Sequence, residues 1–511
     1  MARTLFLPVI FLLVTLLLLD RMPAFAAAQA TVITDCTAAG VTAAVAQGGR
    51  ITFNCGATPV TITIGEITLA AGQNVTLDGA NLITLSGGGV NRLFHVTAGA
   101  SLTLQKLILT DGFSAAAGGA LFNEGALTLE QTTVRNSKAT SGAGIDNLTG
   151  TLIVSASQIV NNQATGSGGG LSSQAGTVTL DNTLVENNQA VSSAGIDSVG
   201  QLFMRNSTVR GNLATSGYGG GIGIAAGNAT IETSLIAANQ AGSGGGGLYI
   251  SANAEAQVTI RDSRILNNQA APSVAGTQGG GINSGNHLTL ERVTVDGNAA
   301  AVAGGLYQYG SAGQLTVRDT TFSHNSATQV AGGLALLGAL GHTLTNVTVS
   351  SNSAGDRAGG VYAVDYPVAL RFVTLADNSA PLGANLYNVR TTFTLGGVIF
   401  ATPLGGGANC GAEATGQPIN SEGYNLASDT SCSLNGGGDQ DNLDPKLGAL
   451  TDNGGPTLTH LPQAGSPALD TIPPTACVAS DQRGFPRPFG PACDSGAVET
   501  GATAPTPVPP P

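Results

Sequence analysis

Carboxylates are the first residues of this sequence that could do chemistry, because acid–base cleavage of a glycosidic bond needs two of them close together. Asp296 and Asp377 each lie near the asparagine of a repeated pattern, and Asp146 and Asp197 each stand directly after Gly-Ile. The first pair is three repeats apart and the second pair is two repeats apart. Neither separation predicts a catalytic centre, so the sequence assigns no catalytic residue.

The histidines are the second candidates, because an imidazole can act as a general base when a further polar group holds it. Five of them occur singly, without a supporting pattern of Asp or Ser: His95, His287, His324, His342 and His460. We therefore expect isolated surface histidines.

A short acidic segment could hold a cation. Asp439, Asp441 and Asp444 alternate with other residues, and carboxylate oxygens are ligands that Ca²⁺ prefers. The segment lacks the central glycine and the terminal glutamate of a complete calcium loop. The sequence favours a plain acidic turn and no cofactor, with Ca²⁺ binding at these three residues as the alternative.

Composition limits the classes of partner. The formal net charge is −12, and the 19 Lys and Arg residues never cluster. Such a surface repels phosphate backbones, so nucleic acid is not expected as a partner. Gly accounts for 74 of 511 residues and there is no Trp, a composition that is unusual for a compact α/β enzyme.

The first residues indicate export. Arg3 precedes an apolar run from Leu5 to Leu19, and Ala24-Phe25-Ala26 offers a cleavage site between small residues. This pattern is typical of a signal peptide, with an uncleaved membrane anchor as the alternative. We expect a mature protein that does not span the membrane and is secreted or held at the cell surface.

Cysteine usage fits an exported chain, since disulfides persist in oxidising compartments. Proximity favours local pairs among the many connectivities that six cysteines allow, and no Cys-x-x-Cys motif supports a metal site. The candidate pairs are Cys36 with Cys55, Cys410 with Cys432, and Cys477 with Cys493.

The elements that must position all these residues are short strands. Units such as Leu288-Thr289-Leu290 followed by Val293-Thr294-Val295 recur, separated by Gly-rich stretches, with a mean spacing of 27 residues. Alternation of apolar residues with Thr predicts strands, and no segment between the glycines is long enough for a helix. A unit of this length with two or three strands can form one turn of a parallel β-helix.

One asparagine recurs in every unit. This residue type tolerates the left-handed turn conformation, and stacked amides can bond to the turns on either side. Because the position repeats, we expect a structural ladder inside the solenoid rather than a ligand site. Its members are Asn162, Asn188, Asn212, Asn239, Asn268, Asn298, Asn325, Asn352 and Asn378, with Ser137 leaving a local gap at the first position.

Two sets of motifs carry a resemblance to known families. Phe322-x-x-Asn325 and Gly118-Gly119-Ala120-Leu121 resemble the repeats of polymorphic outer-membrane proteins. Motifs of the last hundred residues resemble the choice-of-anchor Q module of bacterial surface proteins. They are Asp444-Pro445-Lys446-Leu447-Gly448, Asp452-Asn453-Gly454-Gly455-Pro456-Thr457, Gly465-Ser466-Pro467-Ala468-Leu469-Asp470, Asp481-Gln482-Arg483-Gly484 and Cys493-Asp494-Ser495-Gly496-Ala497-Val498-Glu499.

The resemblance covers about residues 31–499 and implies a bacterial, extracellular, right-handed parallel β-helix of the pectin-lyase-like kind. Asp481 and Arg483 are expected to pair and to fix loops of the module. Val41 and Val45 predict a short helix over the first turn. The expected all-β organisation is a signal peptide (1–26), an N-terminal cap with this helix (27–50), β-helix repeats (51–404), a disulfide-bearing C-terminal module (405–499) and a Pro-rich tail (500–511).

The repetition of polar residues favours a non-catalytic rod for adhesion, scaffolding or glycan binding, with a glycan or a cell surface as its partner. Fold alone does not grant activity. The alternative is a polysaccharide lyase or a glycoside hydrolase that acts along one face of the solenoid.

Overall fold

The computed structural model describes residues 30–253, 255–311, 313–338, 340–414 and 417–503; the predicted signal peptide and residues 504–511 of the tail lie outside them. In these residues an α-helix spans Ala38–Gln47 and a 3₁₀ helix spans Pro474–Ala476. Thr37 caps the α-helix by accepting from Gly40 N, and Val41 and Val45 are buried, as the sequence predicts.

Three parallel sheets, A, B and C, build a solenoid in which each strand pairs with its equivalent one turn away. Sheet A contains Thr31–Ile33, Gly49–Phe53, Val60–Thr63, Asn74–Ser86, Ser101–Thr110, Ala126–Glu130, Thr133–Arg135, Thr151–Ser155, Gln158–Val160, Thr177–Asp181, Leu184–Glu186, Gln201–Arg205, Thr208–Arg210, Ala229–Glu232, Leu235–Ala237, Gln257–Arg261, Arg264–Leu266, His287–Glu291, Thr294–Asp296, Leu315–Ser323, His342–Ser350, Val368–Ala376, Phe393–Gly396, Ile399–Ala401, Asn420–Gly423 and Leu426–Ala427.

Sheets B and C complete each turn. Sheet B contains Ile67–Leu69, Phe94–Val96, Leu121–Asn123, Ile145–Asn147, Leu171–Ser173, Ile196–Ser198, Ile222–Ile224, Leu248–Ile250, Ile282–Ser284, Leu306–Gln308, Leu334–Leu336, Val361–Val364, Leu386–Val389 and Cys410–Ala412. Sheet C contains Lys138–Ala139, Gln163–Ala164, Gln189–Ala190, Leu213–Ala214, Gln240–Ala241, Gln269–Ala270, Ala299–Val302, Ser326–Val330 and Ser353–Ala354.

Alternation along each strand explains the core. Leu288 and Leu290 point inward and are buried, whereas Thr289 between them is half-buried on the outer surface. Neighbouring turns keep this register, so Thr259, Thr289 and Thr316 stand side by side. Like residues therefore stack in columns that run along the solenoid, which is how a single turn gains the burial it cannot achieve alone.

The recurring asparagines are bonded to one another inside the solenoid. Asn188 Oδ1 accepts from the backbone N and from Nδ2 of Asn162, at 2.9 and 3.0 Å, and Asn188 Nδ2 donates to Asn212 Oδ1 at 3.0 Å. The same bonds recur at each turn up to Asn378. The gap predicted at Ser137 does not occur, because Ser137 N donates to Asn162 Oδ1 and its hydroxyl accepts from Gly112 N.

The left-handed conformation lies one residue earlier than the sequence predicts. Positive φ angles occur at Asn161, Asn187 and Asn267, each directly before a ladder asparagine, and none of the ladder asparagines has one. The preceding residue makes the turn, and the ladder side chain is thereby aimed inward to reach its neighbour.

A second polar ladder, which the sequence analysis missed, stands five residues before the first. Hydroxyls accept from the backbone N of the turn before, as in Thr183 N to Ser207 Oγ at 3.1 Å and Ser207 N to Ser234 Oγ at 3.1 Å. The signal is visible in the sequence, since Ser or Thr precedes most of the ladder asparagines at that distance.

The three predicted disulfides are present: Cys36–Cys55, Cys410–Cys432 and Cys477–Cys493. Parallel strand pairing is present at both ends of the solenoid. Thr31–Ile33 already pairs with Gly49–Phe53, and Cys410–Ala412 and Leu426–Ala427 still pair with the preceding turn.

Residues 444–499, called the docked segment below, lie against the outer surface of sheet A. Gln482 Nε2 donates to Thr321 Oγ1 at 2.8 Å, and its Oε1 accepts from Thr348 Oγ1 at 2.7 Å. One turn further, Ala497 N donates to Thr374 Oγ1 at 3.0 Å. The three threonines are in register on neighbouring turns, so the docked segment bonds to a single column of residues on the sheet.

Candidate binding face

Tyrosines gather on the outer surface of sheet B. Six of the eight in the sequence lie there, and they are called the tyrosine face: Tyr218, Tyr249, Tyr307, Tyr309, Tyr362 and Tyr387. The middle residues of successive sheet B strands form one column, which reads Tyr249, Asn283, Tyr307, Ala335, Tyr362, Tyr387. Rings on alternate turns are therefore about 10 Å apart along the solenoid.

The rings contact one another. Tyr218 stacks on Tyr249 with the ring centroids 4.6 Å apart, and the hydroxyls of Tyr249 and Tyr309 are 3.5 Å apart. Tyr362 stacks on Tyr387 at 6.1 Å. Tyr218 is 42% exposed, and Tyr249 and Tyr307 are half-buried, so flat ring surface is available along several turns.

The turn before each sheet B strand brings the column to the surface. Gly245 adopts φ 63°, and a Cβ there would lie 2.6 Å from Leu248 O and 2.9 Å from Tyr249 Cβ. The equivalent positions before Tyr307 and Tyr362 hold Ala303 and Ala358, each at φ 56°, so the left-handed turn recurs with a small residue each time.

Burial controls the protonation of the phenols. Loss of hydration raises the pKa of Tyr307, Tyr309 and Tyr362 above the usual tyrosine value. The hydroxyls therefore stay protonated and can both donate and accept hydrogen bonds.

Charged residues at the C-terminal end of the column are paired. The Arg357 guanidinium lies 5.1 Å from the Tyr387 ring centroid and bonds Asp356 through Nε at 2.9 Å. Arg390 pairs with Asp365 at 2.7 Å, and Glu413 lies within 4 Å of both arginines. This end thus carries no excess of positive charge.

The predicted column of acids forms the N-terminal part of the same line. Asp146 stands beside Ser172 and Ser172 beside Asp197, which confirms the predicted spacing of two turns. Asp146 is fully buried and accepts from Ser141 Oγ at 2.9 Å, and Asp197 accepts from Ser167 Oγ at 2.7 Å. Burial raises the pKa of Asp197, and it raises the pKa of Asp146 to about 6.

The Asp146 carboxyl predicts a pH dependence of stability. Its pKa is 3.8 in the reference state and about 6 in the fold, so this group stabilises the fold below pH 4 and the contribution is lost as the pH rises to 6. We expect Asp146→Asn to raise the free energy of unfolding by about 1–3 kcal/mol at pH 7 and to bring no gain at pH 4. Urea titrations at both pH values test this.

Asp181→Asn is the matched control, because Asp181 is exposed and paired with Arg205 and its pKa is lowered by the hydrogen bond from that residue. A gain at Asp146→Asn that is equal at pH 4 and pH 7 would contradict the prediction.

His95 is not the isolated histidine that the sequence predicts. It occupies the same column one turn before Phe122, with Nε2 2.8 Å from Glu124 Oε2 and Nδ1 3.8 Å from Glu66 Oε1. Arg92 bonds Glu66 at 2.9 Å. Arg92 and Glu66 are 26 residues apart in sequence, and His95 and Glu124 are 29 residues apart. The stacking of neighbouring turns, rather than local sequence, therefore brings these side chains together.

Three further histidines depart from the prediction. His324 Nδ1 lies 2.8 Å from Asp296 Oδ1, which makes it exposed but partnered. His342 is buried at the start of a strand, where it accepts from Leu315 N and where burial lowers its pKa to about 4. His460 is buried against Ser350, with Nε2 2.8 Å from Ser350 Oγ. His287 is half-buried at the start of its strand.

The acidic segment is a set of turn contacts. Asp439 accepts from Ser421 Oγ, from Gly436 N and from Asn425, and Asp444 accepts from Lys446 N. Burial raises the pKa of Asp441, and the negative charge of Asp439 raises it further. In the described part of the chain, no group of three or more His, Cys, Asp and Glu side chains is arranged to hold a metal ion.

Of the helices in the described residues, none is long and apolar enough to cross a membrane.

A family model described as the right handed beta helix region matches residues 194–368, the turns that carry most of the tyrosine face. No curated protein and no solved structure matches the chain. The fold is therefore an all-β, right-handed parallel β-helix.

Proposed function

We propose that this protein is a secreted or cell-surface rod that binds an uncharged polysaccharide along the tyrosine face. The observation that carries the proposal is the gathering of six of eight tyrosines on one surface of a chain without Trp. Exposed aromatic rings on a soluble protein mark interaction sites, because water solvates their faces poorly.

Spacing and charge support a polymer as the ligand. Rings on alternate turns, about 10 Å apart, offer the same contact repeatedly to a chain with its own repeat. Carboxylates along the column outnumber the arginines, and the net charge of the chain is −12, which disfavours an anionic polysaccharide. Protonated tyrosine hydroxyls supply hydrogen bonds to sugar hydroxyls.

Export and source are part of the same proposal. Three disulfides are compatible with an extracellular protein. We propose further that the source is bacterial and that residues 405–499 act as a choice-of-anchor Q module, on the basis of the tail motifs alone; the family match ends at residue 368. Adhesion to a glycan-coated surface would follow from polysaccharide binding.

Removal of single rings tests the binding face. We expect Tyr218→Ala, Tyr249→Ala and Tyr307→Ala each to weaken binding to insoluble cellulose, xylan or β-glucan about tenfold, because tyrosine anchors carry much of the energy of such contacts. Depletion of the protein from solution by increasing amounts of each polysaccharide measures the affinity.

Tyr366→Ala is the matched control, since Tyr366 is 37% exposed but neither belongs to the column nor contacts another ring of the tyrosine face. The proposal would be overturned if Tyr366→Ala weakened binding as much as the substitutions in the tyrosine face. It would also be overturned if the protein bound pectate alone, or bound none of the polysaccharides.

Catalysis is the second candidate function, favoured by one observation: His95 lies between the carboxylates of Glu66 and Glu124 at the end of the same column. Glycosidic cleavage uses two carboxylates close together, and a histidine can act as a general base. Release of reducing or unsaturated ends in the binding assay, abolished by Glu124→Gln, would support a hydrolase or lyase. Binding without product would support the non-catalytic rod.

A further inference from the structure

A cavity of about 410 Å³ lies on the side of the solenoid formed by sheet A, where the docked segment meets the sheet. Its volume is in the range of small-molecule sites, which commonly form where two structural units join. We call it the junction pocket; it is defined by Ala376 and Ala401 as its floor and by Asp377, Thr402, Asp444, Lys446, His460 and Gln463 around it.

The floor is open because two successive turns carry alanine. At the same register the two preceding turns carry Ser323 and Ser350, and larger side chains such as Asp296 occur only further back, so small residues line this end of the column. The alanines are buried beneath the docked segment, where they belong to a small apolar cluster with Leu426 and Ala468, and the cavity lies beside this cluster.

The wall is held rigidly. Gly448 N donates to Leu461 O and Gln463 N to Lys446 O, both at 2.9 Å, so two extended stretches of the wall are joined by an antiparallel bridge. His460 fixes this wall to the sheet through Ser350. A pocket with braced walls exists before its ligand arrives, which lowers the entropic cost of binding.

The polar atoms around the cavity are only partly used within the protein. Asp377 Oδ1 accepts from Thr402 Oγ1, and Asp444 Oδ1 accepts from Lys446 N at 2.9 Å, so each carboxylate keeps a second oxygen. Lys446 Nζ donates to Gly465 O at 2.9 Å and keeps two further protons.

His460 contributes shape rather than charge. Its Nδ1 donates to Gly448 O at 2.7 Å, so in the neutral ring Nε2 is the acceptor for the Ser350 hydroxyl. Burial lowers the pKa of His460, which leaves Asp377, 4.0 Å away, without a charged partner. The pocket therefore has two carboxylates and one ammonium group.

We propose that the junction pocket binds a single sugar unit through its hydroxyl groups. Carboxylate oxygens accept from neighbouring hydroxyls, the lysine donates to a hydroxyl or ring oxygen, and the alanine floor contacts the apolar face of the ring. The excess of one negative charge selects neutral sugars and amino sugars against uronic acids. This site is separate from the tyrosine face, which lies on sheet B.

Saturation-transfer NMR on the full exported chain, with glucose, galactose, mannose, glucosamine and glucuronate as probes, tests the proposal. We expect transfer to at least one neutral or amino sugar and none to glucuronate. Asp444→Asn keeps the acceptor for Lys446 N, and Lys446→Met keeps the aliphatic part of the side chain. We expect each substitution to lower the affinity for the bound sugar at least tenfold. Stronger binding of glucosamine than of the neutral sugars would indicate that the pocket prefers a positively charged ligand.

Lys138→Met, an exposed lysine of sheet C, is the matched control. Tyr249→Ala should leave sugar binding in the junction pocket unchanged, so failure of the tyrosine face and failure of this pocket are distinguishable. Absence of transfer to every sugar at millimolar concentration, or transfer that Asp444→Asn and Lys446→Met leave unchanged, would overturn the proposal.

Discussion

Asn268→Ala is expected to lower the free energy of unfolding by about 3–5 kcal/mol, because it opens the asparagine ladder at its centre. Asn268 Oδ1 accepts from both the backbone N and Nδ2 of Asn239 at 3.0 Å, and its Nδ2 donates to Asn298 Oδ1 and Ile236 O at 3.0 Å. Alanine removes the acceptor for two buried donors, each of which costs about 1–3 kcal/mol when unpaired.

Urea unfolding followed by circular dichroism measures this effect, with Gln269→Ala as the control. Gln269 is the next residue, in the same strand-forming unit, but its side chain is exposed. Gln269→Ala should change stability by less than about 0.5 kcal/mol. Equal tolerance of the two substitutions would mean that the ladder bonds do not stabilise the stack.

The second large effect is expected at Asp481, which holds the docked segment together. The Asp481 carboxylate is fully buried and accepts five hydrogen bonds, from Arg483 N, Nε and Nη2, from Phe485 N and from Glu499 N. Asp481→Ala leaves the Arg483 guanidinium buried without its carboxylate, a change that costs about 3–5 kcal/mol.

This loss should appear as local opening rather than as collapse of the rod. Because sheet A is stabilised by its own ladders, we expect limited proteolysis to cut within residues 444–499 while the strand signal in circular dichroism persists. Thr475→Ala, at an exposed position of the same segment, should leave the segment resistant. Resistance of the Asp481→Ala variant would show that Gln482 and its threonine partners suffice for docking.

Repetition made much of this fold predictable. The spacing of Asn162 to Asn378 predicts the turns, and Cys36, Cys410 and Cys477 each lie close in sequence to the cysteine they bond. The pairing of Asp481 with Arg483 was also predicted, and its 2.7 Å contact confirms it. All these contacts are either local or separated by one turn, so a single alignment of the repeats reveals them.

The candidate site was harder to predict. The tyrosine face has a signal in the sequence, because Tyr249, Tyr307 and Tyr362 each follow Gly-Leu or Gly-Val, just as Asp146 and Asp197 follow Gly-Ile. The environment of His460 was beyond sequence reasoning, because its partner Ser350 is 110 residues away on an outer surface. The sequence around a threonine column is the same whether the column faces water or forms hydrogen bonds with Gln482.

The ladder of amides has a direction. The bonds between the amides all run one way, because Nδ2 of each ladder asparagine donates to Oδ1 of the asparagine one turn further along the chain, although Nδ2 also bonds a carbonyl of the preceding turn. The series continues from Asn378 through Asn385 to Asn409, whose backbone N donates to the Asp429 carboxylate, a group that can only accept when ionised. Burial raises the pKa of Asp429, but hydrogen bonds from Ser431 and Asn409 outweigh it, so the net pKa is lowered and the group remains an anion.

Each turn therefore offers donors on one side and acceptors on the other, whichever turn is chosen. Duplication or deletion of one whole unit in a gene would join complementary surfaces, and the terminal anion would still end the series. The length of the rod, and with it the number of rings along the tyrosine face, can thus change in whole turns during evolution without redesign of either end.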